Sequence, residues 1–156
     1  MTKSMAVIYT DGGCSPNPGP GAWAYILQVG DDIREGSGGE LQTTNNRMEM
    51  LAAIHGLEAA GGIQAVKLVA DSQYVINGLT DWMPRWKAAG WTRKVRGKSQ
   101  PVLNLDLWKR LDELISGIEL TCEWVRGHTG HAQNERCDQL VQSTREALVS
   151  GDFAAE

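Results

Sequence analysis

Four carboxylates and one histidine are the residues of this chain whose types and settings could do chemistry. Asp11 ends the apolar, β-branched run Ala6-Val7-Ile8-Tyr9-Thr10 and is followed at once by Gly12-Gly13. That pattern describes a strand closing in a sharp turn, with an acid at its C-terminal tip. Asp71 repeats it after Val66-Lys67-Leu68-Val69-Ala70. Glu49 lies one turn into a helix expected from about Arg47 to Ala59, with Ala52, Ala53 and Gly56 on its side of the cylinder. Side chains that small let a helix approach a sheet closely. Asp138 stands beside Cys137, Leu140, Val141 and Thr144, the core-facing stripe of the last helix. Taken singly, each acid reads as an ordinary surface group.

Brought together, they read differently. Like charges about 4 Å apart repel by about 4 kcal/mol at an effective dielectric of roughly 20. A converging set is tolerable only if protonated or neutralised by cations. An all-oxygen donor set without His or Cys points to Mg²⁺, with Mn²⁺ as a substitute. Two such ions activate water and stabilise the leaving oxygen of an in-line displacement at phosphorus. His128 sits in the glycine-flanked run Arg126-Gly127-His128-Thr129-Gly130 and has two readings. It is an exposed loop residue, or it swings toward the acids and passes protons as products leave. His55 reads as half-buried helix packing and His131 as a loop or cap residue.

The elements that must position these groups follow from the pattern. Strands are expected at the first apolar run, at Ala22–Val29 and at about Ile33–Leu41, joined by tight turns into an antiparallel meander. The alternating prolines and glycines from Cys14 to Gly21 are expected to be irregular. Thr43-Thr44-Asn45-Asn46 supplies cap residues for the helix carrying Glu49, and Gly61-Gly62 stops it. The Asp71 strand precedes short helices at about Ser72–Leu79 and Trp82–Ala89, then a basic loop. A helix at about Leu103–Ile115, a strand at Glu119–Val125 and a helix at about Ala132–Leu148 complete the order β-β-β-α-β-α-α-α-β-α. This is an α/β fold with a five-stranded mixed sheet flanked by helices. The meander holds strands 1–3, and strands 4 and 5 join parallel to strand 1 by right-handed crossovers. If strand 4 lies beside strand 1, Asp11 and Asp71 become neighbours at the edge where open α/β sheets bind ligands.

With 156 residues, 42% of them apolar, the chain fits one domain over residues 1–156. No apolar run is long enough for a membrane span, and Met1–Met5 leads straight into the first strand, leaving no room for a signal peptide. Cys14, Cys122 and Cys137 are widely spaced, as expected of reduced thiols in a cytoplasmic protein. The net charge of −4 alone argues against a nucleic-acid partner, but it is uneven. Arg85, Lys87, Arg93, Lys94, Arg96 and Lys98 crowd one segment free of Asp and Glu, leaving nine bases against nineteen acids elsewhere. Such a run is a solvated loop or, with Trp82, Trp86 and Trp91 interleaved, a docking surface for a polyanion.

Six blocks in register from about Met5 to Leu148 carry a family resemblance. They are Tyr9-Thr10-Asp11-Gly12, Asn17-Pro18-Gly19-Pro20-Gly21, Thr43–Glu49, Asp71–Val75, Trp124-Val125-Arg126-Gly127-His128 and Asn134–Asp138. Together they resemble bacterial ribonuclease HI, the type 1 ribonuclease H family. The resemblance implies a ribonuclease H-like fold and endonucleolytic cleavage of the RNA strand of RNA/DNA hybrids. It further implies little sequence preference, 3′-hydroxyl and 5′-phosphate ends, and two Mg²⁺ ions with substrate bound. Asp11, Glu49, Asp71 and Asp138 match its metal-binding acids, and His128 its mobile histidine. Cys14 (through its backbone), Asn45, Asn46 and Gln73 match hybrid contacts that include ribose 2′-hydroxyls. A 2′-hydroxyl both donates and accepts, so amides and backbone groups can tell RNA from DNA without reading bases. Asn17, Thr44 and Arg47 match a pocket for a DNA-strand phosphate. The segment from about Trp82 to Gln100 resembles the basic handle, with Trp82 facing the DNA channel, although it is a few residues longer and its helix contains Pro84. A monomer is expected.

Two other functions remain to be distinguished. A nuclease of the same fold acting on DNA, as in junction-resolving or strand-transfer enzymes, would lack the handle and the Asn-rich set. A non-catalytic hybrid binder would have no use for a repulsive carboxylate cluster.

Overall fold

A computed structural model describes residues 5–126 and 132–151 of the chain. Strands β1 (Met5–Cys14), β2 (Gly19–Val29) and β3 (Asp32–Thr43) form the antiparallel meander. Helix α1 (Asn45–Ala59) crosses to β4 (Ala65–Ala70). Then come α2 (Gln73–Asn77), a π-helical turn (Gly78–Trp82) and α3 (Met83–Ala88). A hairpin of β5 (Thr92–Val95) and β6 (Lys98–Pro101) precedes α4 (Leu105–Ile115), β7 (Glu119–Trp124) and α5 (Ala132–Ser150). The main sheet runs β3-β2-β1-β4-β7, with β4 parallel to both β1 and β7, which is the mixed five-stranded sheet the sequence implied.

Two expectations are corrected. Half of the Cys14–Gly21 stretch is strand, since the β1–β2 ladder reaches Cys14 opposite Gly21 and the irregular part is confined to Ser15–Pro18. Glycines 19 and 21 accept an extended backbone, and Pro20 falls where β2 shifts register against β3, so its missing N–H removes no ladder bond. The basic segment is likewise a hairpin rather than a loop. Arg96 and Gly97 both take positive φ (52° and 79°), the tight-turn geometry whose twist matches paired strands.

The core lies mainly on one face of the sheet. Ile8 of β1 and Leu68 of β4 meet Met50, Ala53 and Leu57 of α1, and Leu107, Trp108 and Leu111 of α4 close the layer. Gly56 sets the depth of α1, for a Cβ there would stand 2.5 Å from Ile8 Cγ2. The opposite face is thinner, with α5 packing Val141 on Ala22 and Ala24 of β2. The short alanine side chains bring α5 close to β2 and to its neighbour β1, which carries Asp11. No helix among the described residues is long and apolar enough to cross a membrane.

Candidate active site

Register decides where the first two acids go. The parallel β1–β4 ladder ends with Thr10 opposite Ala70, so Asp11 and Asp71 are the next residues on adjacent strands. Asp11 therefore lies within β1, paired with Ala24 of β2, rather than at the strand's tip. It stands at the notch where β4 leaves the sheet. The Asp71 backbone is pinned there: Trp124 Nε1 donates to its carbonyl (3.1 Å), and Val125 N donates to Ala70 O (3.0 Å).

Glu49 arrives through the closest contact in the site. A Cβ at Gly12 would sit 2.5 Å from both Glu49 N and Met48 C, so α1 backbone rests directly on the strand at this glycine. The cap of α1 fixes its start, as Thr44 Oγ1 accepts from Arg47 N (3.3 Å) and Asn17 Oδ1 accepts from Asn45 N (3.2 Å). Carboxylate oxygens of Asp11, Glu49 and Asp71 then lie within 4.8 Å of one another. Asp138 is outside that trio of atoms but lines the same cleft of about 610 Å³, accepting from Gln142 Nε2 (3.0 Å). Its helix is fixed to β1 by Cys137, whose thiol donates to Tyr9 O (3.4 Å).

The convergence has an electrostatic cost. Burial, then the charges of Asp71 and Asp138, push the Asp11 carboxyl up to about 7, although Gly12 N–H donates to its Oδ1 (3.0 Å). Burial, then Asp71 and Asp11, hold Glu49 well above the usual carboxylate range. Glu49 Oε2 is buried and has no hydrogen-bond partner among the described residues. An orphaned buried oxygen within a trio of hard oxygen donors fits a divalent cation such as Mg²⁺ or Mn²⁺.

The other sequence-derived residues divide. Cys14, Asn45 and Asn46 line the cleft. Gln73 opens α2 as an exposed residue next to Ser72, which lines the cleft and caps that helix. Asn17, Thr44 and Arg47 do meet at the α1 N-terminus. The Arg47 guanidinium, however, forks onto Asp106 (3.2 and 3.0 Å) and also donates to Asn104 Oδ1 (3.2 Å). Trp82 is half-buried in an aromatic cluster, 5.7 Å from both Tyr74 and Trp86. The basic run is not free of acids in space, because Arg85 pairs with Asp81 (2.9 Å) and Lys87 with Asp112 (3.0 Å). Arg93, Lys94, Arg96 and Lys98 of the hairpin are exposed and make no ion pair among the described residues. His128 lies outside the described residues. Sequence reasoning missed Arg145, which lines the cleft two helical turns after Asp138. Its spacing of seven from that acid was the available signal.

Known proteins resemble this chain in sequence and in fold. The family model described as RNase H matches residues 3–146. The ribonuclease H of Syntrophotalea carbinolica is 49% identical over 150 residues, covering 96% of this chain and 95% of that protein. Among solved structures, LC9-RNase H1, described as a type 1 RNase H with the type 2 active-site motif, superposes with a TM-score of 0.80 at 30% identity, covering 94% of this chain and 74% of that one. RNase H1 of Halobacterium salinarum superposes with a TM-score of 0.67 at 30% identity, covering 91% and 98%.

Proposed function

The chain belongs to the ribonuclease H family of enzymes, and from that premise we propose that it cuts the RNA strand of RNA/DNA hybrids endonucleolytically, leaving 3′-hydroxyl and 5′-phosphate ends. One observation carries this reading: three carboxylates whose oxygens converge within 4.8 Å, two of them held far above their ordinary pKa by burial and mutual repulsion. Asp11, Glu49, Asp71 and Asp138 would hold two Mg²⁺ ions, with Mn²⁺ as substitute. When bound, these cations supply water activation and stabilisation of the departing 3′-oxygen.

The protein's own part is placement. Asp11, between Glu49, Asp71 and Asp138, would serve as the acid common to both ions. Gly12 lets α1 deliver Glu49, and β4 delivers Asp71 at a fixed offset. Asn45 and Asn46, with the backbone of Cys14, line the cleft as donors and acceptors for ribose 2′-hydroxyls, and Gln73 adds to them. Asn17, Thr44 and Arg47 take a DNA-strand phosphate, for which Arg47 must exchange Asp106 for the incoming oxyanion. Trp82 with Arg85, Lys87, Arg93, Lys94, Arg96 and Lys98 forms the handle. His128 passes protons as products leave, a role resting on its sequence position alone. The contacts address backbone and sugar, so little base preference follows. A monomeric, cytoplasmic enzyme of one domain is part of the proposal, supported by the free thiols of Cys14, Cys122 and Cys137.

Labelled RNA/DNA, RNA/RNA and DNA/DNA duplexes, each with Mg²⁺ and with chelator, test the proposal. Cutting of RNA in the hybrid alone, stopped by chelator, is the expected outcome. Cutting of DNA would assign a different substrate to the same fold, and binding without cutting would leave a hybrid-binding module.

A further inference from the structure

Helix α5 turns Asp138, Val141, Gln142 and Arg145 toward the cleft, positions that share one helix face. Arg145 is the one basic residue among the described residues that line it, against Asp11, Glu49, Asp71, Asp138 and Glu146. An arginine in such surroundings is expected to pair with a carboxylate, as Arg34, Arg47, Arg85, Arg110 and Arg136 do elsewhere in this protein. Arg145 does not. Its Nε donates to Pro20 O (3.3 Å) and its Nη2 donates to Ser15 O, and it makes no ion pair among the described residues.

Backbone carbonyls orient a guanidinium without cancelling its charge. Two of the five N–H groups are engaged and three remain for another acceptor. The side chain is half-buried, braced between α5 and the β1–β2 turn, so little freedom is left to lose on binding. A fixed, unneutralised fork on the rim of a nucleic-acid cleft suits an oxyanion. Seven residues of helix place it about 10 Å along the α5 axis from Asp138. That is too far to share the phosphate being cut and near enough to reach its neighbour in the strand.

We propose that Arg145 binds a backbone phosphate flanking the cleaved one, a substrate contact separate from the basic hairpin. The inference rests on the nuclease reading of the cleft.

Arg145→Gln and Arg145→Lys are compared with wild type for hybrid binding in chelator across a salt series, and for steady-state cleavage in Mg²⁺. For Arg145→Gln, Kd and KM should rise about 5–10-fold, and the slope of log K against log salt should lose about one unit. Its kcat should stay within about twofold. Arg145→Lys keeps the charge but loses the fork, so it should recover most of the slope. An unchanged slope in Arg145→Gln overturns the proposal and leaves a clamp on the turn, whatever happens to stability. Should that variant not fold, phenylglyoxal modification of the wild type, mapped by mass spectrometry, decides. Hybrid should protect Arg145, and undiminished reactivity overturns the contact. The chelator arm needs no cleavage, so a wild type that binds hybrid without cutting it would refute the nuclease reading while still testing Arg145.

Discussion

The acidic cleft and the basic hairpin both concentrate one sign of charge, and they do so by opposite means. The cleft gathers acids 38, 60 and 127 residues after Asp11, using strand register, one glycine contact and one helix face to force them together. The hairpin holds Arg93, Lys94, Arg96 and Lys98 within six residues, yet all four are exposed and solvent separates their charges. In the cleft, burial and then the neighbouring acids lift Asp11 to about 7. Proximity along the chain is therefore a poor guide to electrostatic coupling. Charges that the fold compels to approach call for a counter-charge, and charges that merely follow one another in sequence do not.

Mutations at the two regions should consequently fail in different ways. Asp11→Asn should lower hybrid cleavage by about a thousandfold or more while hybrid affinity stays within about threefold. Appreciable residual turnover would remove Asp11 from the centre of the site. Gly12→Ala should act through the fold, because its methyl meets α1 backbone that cannot yield. A loss near 3 kcal/mol, or roughly 6–12 °C in Tm, is expected by thermal denaturation, with cleavage falling as Glu49 is displaced. Joint replacement of Arg93, Lys94 and Arg96 by Gln should weaken hybrid binding about tenfold near 0.1 M salt and flatten its salt dependence, with kcat nearly unchanged. An unaltered salt slope would return the hairpin to the status of a solvated protrusion. The smallest effect should come from Lys87→Gln, since Asp112 already neutralises that lysine. Binding within about twofold of wild type is expected, and a loss equal to that of Lys94→Gln would erase the distinction between paired and unpaired cations.

The order of elements and the four acids were legible because each depends on a local pattern: a β-branched run closed by Asp, a cap before a helix, a stripe on a helix face. Asp11 beside Asp71 also followed, since parallel strands of similar length bring their ends level. What the chain does not spell out is which backbone touches which. Gly12 and Gly13 read from sequence as a sharp turn closing the strand, whereas β1 runs on through both and α1 backbone rests on Gly12. The hairpin was hidden because Arg96 adopts the left-handed conformation usually left to Gly, Asn or Asp. The pairing of Arg47 with Asp106 joins positions 59 apart, and no periodicity announces it. Arg145 was overlooked for a plainer reason. Its role depends on accepting carbonyls, which every residue has.

The carboxylates pushed together in the cleft also make a prediction about stability. Between the ordinary carboxylate value of 3.8 and its folded value of about 7, Asp11 binds more proton in the native state than in the unfolded chain. Raising pH through that window therefore removes stability, and Glu49 acts in the same direction. Thermal denaturation of wild type and Asp11→Asn at pH 5.5 and pH 8, in chelator and in Mg²⁺, measures this directly. In chelator the wild type should melt several degrees lower at pH 8 than at pH 5.5, and Asp11→Asn should melt above wild type at pH 8. Mg²⁺ should then raise the wild type at pH 8 and raise Asp11→Asn less. A wild-type Tm indifferent to both pH and Mg²⁺, with Asp11→Asn no more stable in chelator, would contradict a cation-held carboxylate centre.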